Sequence, residues 1–236
     1  MKLLRPIASS WVMLGLAAVA LVVSASTAGA FAQRSPQVVF NSASLQGYLN
    51  GVGESINVNT DQLDAQVWDS SVSGNATFTL MIELAGNAAL NNLGVYNSNG
   101  PVNPPLFQVF PGAASAGWFA ACHFGGGNLV VTLFDNNSII QGQSFYPGVN
   151  ANGFGFYLQG PGGTFYSQDA RNGGATPRAL TYAGTGNNFG DWWECFEDLA
   201  PGGSDNDFDD AVMLLQSVVP TANHGTTWGA LKSLYR

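Results

Sequence analysis

Charge is what this chain has least of. Asp, Glu, Lys and Arg make up 9% of its 236 residues, against about 25% in an ordinary globular protein. Lysine is scarcer still, with Lys2 and Lys232 alone. Nucleic acids and anionic membrane surfaces both require a basic patch that displaces counterions, so neither is expected as a partner. Histidine is confined to His123 and His224. A Ser-His-Asp triad would have to rest on His123, and no G-x-S-x-G elbow supplies its serine. The glycine-rich pieces at 125–127 and 160–163 lack the Lys-Ser/Thr of a phosphate loop and read as hairpin turns. A glycosidase needs two carboxyls flanking a cleft. Glu83, or Glu194 with Glu197, are the nominees, but clustered acids are better explained as metal ligands, and the chain reads as a non-enzyme.

Long apolar runs are missing too, with one exception at the N-terminus. Trp11–Val23 follows Lys2 and Arg5 and precedes the small-residue patterns Ala28-Gly29-Ala30 and Ala30-Phe31-Ala32. Residues 1–32 are therefore expected to be a secretory signal peptide, with a retained anchor as the alternative. No later segment approaches the ~20 apolar residues that crossing a membrane requires. Removing the signal takes away Lys2 and Arg5 but no acid, which leaves five basic residues against 15 acidic ones. The neutral remainder, rich in Asn, Ser, Thr, Gln and Gly, suits an extracellular surface and puts little charge repulsion between copies. No linker or repeat divides residues 33–218, which form one expected domain. Cys122 and Cys195 would be exported together and are expected to form a disulfide, with two buried thiols as the alternative. His123 projects to the opposite strand face from Cys122, which argues against a Cys/His site.

The few charges present are gathered in one place. Asp191–Asp210 holds Asp191, Glu194, Glu197, Asp198, Asp205, Asp207, Asp209 and Asp210, and the nearest basic residue before it is Arg178. Such repulsion calls for a cation. Alternating carboxylates Asp205, Asp207 and Asp209 after Pro201-Gly202-Gly203 form a loop of the kind that wraps calcium with oxygen ligands. An EF-hand would place Gly after the third ligand and Glu at the twelfth position, where Asp210 and Gln216 stand, so that motif is excluded. The metal set is read as Glu197, Asp198, Asp205, Asp207, Asp209 and Asp210, with Ca2+ as the ion. The competing reading is a solvated acidic turn. Trp192 and Trp193 adjoin the block and face opposite ways if extended. One of them is a candidate for stacking on a sugar, the alternative being that both cover the sandwich edge.

Periodicity points to an all-β fold. Ala76–Leu84 alternates, with Phe78, Leu80 and Ile82 on one face. Further strands are expected at Gln37–Phe40, Ser55–Asn59, Leu93–Tyr96, Gly117–Phe124, Asn128–Phe134, Phe154–Gln159, Thr164–Ser167, Arg178–Tyr182 and Ala211–Val218. Gly, Asn and Pro punctuate nearly all of them. One short helix fits Ser44–Asn50. The expectation is an antiparallel β-sandwich of jelly-roll type.

Two stretches and a short link, FGFYLQGPGGTFYSQ, FEDLAPGGSDNDFDDAVM and RALTY, resemble the bacterial extracellular domain-of-unknown-function family 4114. Its block of the form W/F-E-D-L, G-G-x-D-x-D-F-N-D-x-V is matched by Phe196, Glu197, Asp198, Leu199, Gly202, Gly203, Asp205, Asp207, Phe208 and Asp210. Asp209 replaces the usual Asn and Ser204 a frequent Gly. FTLMIELAGNAALNNLGVYN is similar to the family's upstream strand. The resemblance implies a secreted or surface location and calcium use, and no established activity. After Val218, residues 219–236 form a tail. Its Val219-Pro220 start lacks the Glu, apolar span and arginine cluster of a sorting anchor, and Trp228, Leu231, Leu234 and Tyr235 fit a short amphipathic helix. The whole reads as a secreted calcium-binding β-sandwich of the cell surface or matrix, acting by binding, adhesion or self-assembly. Its partners would be copies of itself or surface polysaccharide, and a lectin-like carbohydrate-binding module is the alternative.

Overall fold

The alternation seen in the sequence becomes two facing antiparallel sheets. The computed structural model describes residues 31–221, so the expected signal peptide and tail helix lie outside the described residues. The strands are β1 Val67–Ser70, β2 Asn75–Ile82, β3 Asn92–Asn97, β4 Leu106–Phe110, β5 Phe119–Gly125, β6 Asn128–Phe134 and β7 Ile140–Pro147. They continue with β8 Asn152–Gly160, β9 Gly163–Tyr166, β10 Ala179–Ala183, β11 Trp192–Phe196, β12 Ala211–Gln216 and β13 Val218–Thr221. A six-stranded sheet runs β13-β1-β8-β3-β4 with β9 also on β8, and a seven-stranded sheet runs β10-β11-β12-β2-β5-β6-β7. The chain passes repeatedly from one sheet to the other, as in jelly rolls, while β5-β6-β7 and β10-β11-β12 are meanders within one sheet. Among the described residues no helix is long and apolar enough to cross a membrane.

Between the sheets lies the main core, which includes Trp68, Phe78, Phe154, Phe156, Leu158, Trp192, Phe196 and Met213. A second core covers the outer face of β10, β11 and β12. There Leu45 and Leu49, one turn apart on helix α1 (Ala43–Gly51), meet Tyr182, Trp193, Cys195 and Leu214. Gly53 at φ +88 lets the chain reverse after α1, so that the Glu54 N–H reaches Leu49 O at 2.9 Å. Strands β11 and β12 are thus buried on both faces and show apolar runs, broken in β11 by Glu194, instead of alternation.

Several expectations are corrected. Ile82 does not share a face with Phe78 and Leu80, because a bulge at Met81 shifts the register and turns Ile82 to the second core beside Val212. Gln37–Phe40 and Ser55–Asn59 are irregular. The buried side chain of Gln62 takes over there, accepting from Val38 N–H at 2.8 Å and donating to Val38 O at 2.8 Å and Val58 O at 2.9 Å. Ala211–Val218 is two strands, broken at Ser217 (φ +60), and the domain continues past residue 218 because β13 pairs with β1 as far as Thr221. Pro220 is tolerated because β13 is an edge strand. The expected disulfide is absent, since Cys122 and Cys195 are both free and buried. Cys122 faces the main core from β5, whereas Cys195 faces the second core from β11. With β12 and β2 between their strands, and with Cys195 level with Ile82 but Cys122 level with Ala76, they stand more than about 14 Å apart, over twice the ~7 Å that a bridge can span.

Candidate metal centre

The last ladder pair between β11 and β12 is Phe196 with Ala211. The next residues outward are Glu197 and Asp210, so strand pairing alone brings two carboxylates to the mouth of the connecting loop. The loop folds back over them. Carboxylate oxygens of Glu197, Asp205, Asp207 and Asp210 all lie within 4.8 Å of one another.

Backbone conformation explains how alternate residues converge. Asn206 and Phe208 both occupy the left-handed region, at φ +55 and +54. Asn tolerates that region, but an aromatic residue is held there only by its surroundings. Phe208 is 2% exposed and packs edge-to-face on Phe40 at 5.1 Å, which nails the loop into the second core. Its N–H donates to Glu197 Oε1 at 2.8 Å, and the Ser204 hydroxyl donates to Glu197 Oε2. Asp198 N–H donates to Asp210 Oδ2 at 2.8 Å.

Opposing charge is meagre. Buried Arg178 places Nη1 3.9 Å from Glu197 Oε2 and donates to Leu199 O at 3.1 Å. Burial lowers the Arg178 pKa, against the pull of Glu197. The carboxyls respond as an undercompensated cluster. Burial, then Asp209 and Asp205, push Asp207 up to about 6. Burial, then Asp198, Glu197 and Asp207, push Asp210 up to about 7, against the Asp198 N–H bond that favours its anion.

Two of the six expected ligands fall outside this group. Asp198 turns to the six-stranded sheet, where its Oδ2 accepts from Asn91 Nδ2 at 3.0 Å. Asp209 points inward on the alternating loop, is 4% exposed, and its Oδ2 has no partner among the described residues. Trp192 and Trp193 are 8% and 0% exposed. Trp192 packs against Trp68 and Phe31 and donates to Val218 O, while Trp193 packs against Tyr48 and donates to Glu54 Oε1. Neither offers a face to a sugar, because β11 is covered on both sides.

Two residues that touch this group, Arg178 and Ser204, were not foreseen, nor was a buried carboxylate elsewhere, Glu54. Arg178 stood out only as the nearest basic residue, and Ser204 only as a departure from Gly. Glu54 had no signal: its carboxylate, buried under α1, accepts from Thr185 N, Thr185 Oγ1, Asn188 Nδ2 and Trp193 Nε1. Burial alone would raise its pKa, but these four bonds outweigh it and the pKa is lowered.

The four converging carboxylates fit a hard divalent cation by size. Oxygens that each lie 2.3–2.6 Å from one calcium ion are at most about 5 Å from each other. Carbonyl oxygens and water complete such a shell. Comparison of the chain with family models, with curated proteins and with solved structures gives no match.

Proposed function

We propose that this protein is a secreted, calcium-stabilised β-sandwich of the cell surface or extracellular matrix, which acts by binding, adhesion or self-assembly and not by catalysis. The observation that carries the calcium reading is the meeting of Glu197, Asp205, Asp207 and Asp210 within 4.8 Å, with Arg178 as the basic side chain paired there. Bound calcium would supply two positive charges against their repulsion. Glu197 and Asp210 would hold it from the strand ends, and Asp205 and Asp207 would close over it from the loop. The resemblance of the acidic block to extracellular family 4114 and the apolar leader support the location. The neutral, acid-leaning surface supports a partner without strong charge, another copy or a polysaccharide.

Melting of the mature, metal-free protein with calcium and with chelator tests the metal. A ligand at a hundredfold its Kd adds about 2.7 kcal/mol, or roughly 5–10 °C for a domain of this size. The Asp207→Asn, Asp210→Asn variant should lose that response. Superimposable wild-type curves would remove the calcium reading.

A further inference from the structure

We propose that β7 is a docking edge for the β7 strand of a second copy, so that two seven-stranded sheets join into one. This takes the assembly half of the reading above and gives it a surface. An open sheet edge recruits another strand unless something blunts it. β13 is four residues long and contains Pro220. β10 is covered by the bridge from Leu63 to Thr181 and by Arg34. β4 has five residues. By contrast β7 has eight, keeps its proline to the last position and carries no charge. Among the described residues it is bonded to β6 alone. Ile140 and Phe145 on it are each 62% exposed. The apolar stripe continues through Phe134, which pairs with Ile140 and stacks on Phe119 with ring centroids 4.8 Å apart.

Two features select another copy as the occupant. The chain has a formal net charge of −8, so copies repel wherever acids meet, yet β2, β5, β6 and β7 contain no Asp, Glu, Lys or Arg. Apart from Asp135 in the β6–β7 turn, which accepts from Gln141 Nε2 at 2.8 Å, a charged partner finds no counter-charge on this half of the sheet, and the paired strands of an identical half meet no repulsion. The strand is also self-complementary. Register with β6 places Gln143 and Phe145 on the outer face, opposite Thr132 and Val130. Antiparallel pairing about a two-fold axis at Ser144 then sets Phe145 against Gln143 of the second copy. It also sets Tyr146 over Gly142 of the second copy, an aromatic filling the gap a glycine leaves.

Sedimentation equilibrium of the mature protein, with calcium and with chelator, should show a concentration-dependent monomer–dimer equilibrium. The Gln143→Lys, Phe145→Lys variant should dimerise roughly tenfold more weakly, or less, with unchanged melting, and so should Gln143→Glu, Phe145→Glu. Mixing the two should restore a 1:1 dimer, which a misfolded variant would not do. A wild type that stays monomeric overturns the proposal, as does a dimer indifferent to these charges. Slow exchange of the Gln143 and Phe145 amides in the monomer, which point away from β6, would also overturn it, since the chain itself would then cover β7. The acidic loop lies beyond β2, β5 and β6, so the two readings fail separately. Dimerisation without a calcium response counts against the metal alone. Calcium-raised melting of a monomer counts against this interface alone.

Discussion

Glu194 shows how one side chain fixes its own protonation. It is 0% exposed between the sheets, and Thr181 Oγ1 lies 2.6 Å from its Oε2 and 2.9 Å from Ala65 O. A hydroxyl has one proton, so Thr181 divides it between the Glu194 carboxyl and Ala65 O, and leaves a buried Glu194 anion only partly satisfied. Burial, opposed by Thr181 and Arg34 and assisted by Asp169, pushes its pKa up to about 8. A folded pKa above the unfolded one means that the native state holds a proton the unfolded chain has released. The contribution to stability is complete below about pH 4.5 and is lost as pH rises towards 8, by at most about 1.4 kcal/mol per pH unit. Glu194→Gln, which cannot ionise, should therefore gain on wild type in urea unfolding between pH 5 and pH 8. A constant difference across that range would show that Glu194 is ionised.

Elements were legible where apolar residues alternate or form a short run between turn residues, as in β8, β10 and β12, which were expected although they are buried nearly throughout. β6 emerged with its predicted bounds because Leu129, Val131 and Leu133 alternate with half-covered neighbours. The helix was placed to within a residue at each end. β11 went unread because WWECF is buried throughout, and Glu194 drew it into the acidic block. Short β1 and β4 and exposed β7 offered weak or no alternation. At the acidic loop, charge density located the cluster, but the left-handed turns at Asn206 and Phe208 decide which carboxylates converge, and no spacing rule contains them. The same limit applies to Gln62, an amide that serves as the hydrogen-bonding partner of Val38 and Val58. Gln62→Leu would leave those buried backbone groups unpaired and should cost about 2–4 kcal/mol. Chemical denaturation measures this, and a loss below about 1 kcal/mol would mean that water replaces the amide.

For the molecule as a whole, the described fold begins with a structural residue. Phe31 packs edge-to-face on Trp192 at 4.8 Å, and Ala32 O accepts the Asp64 N–H at 2.9 Å. Cleavage after Ala32 would discard both contacts, whereas cleavage after Ala30 keeps them. If the leader is cleaved as proposed, N-terminal sequencing of the mature protein should therefore start at Phe31, and a start at Gln33 would show that the core closes without that ring. Without a disulfide, the two cores are joined by the strands they share and by the loop that puts Ile56 and Val58 in one and Leu63 and Ala65 in the other.

That sharing makes β11 an optical instrument. Trp192 and Trp193 are consecutive in the chain but look into different compartments, one bounded by Trp68 and Phe31, the other by Tyr48 and the core that anchors Phe208. Phe208 of the acidic loop shares its core with Trp193 and not with Trp192, so an event at that loop is expected to perturb the second indole and not the first. Emission that shifts on adding calcium should keep its shift in Trp192→Phe and lose it in Trp193→Phe, so two adjacent indoles would report separately on the halves of one protein.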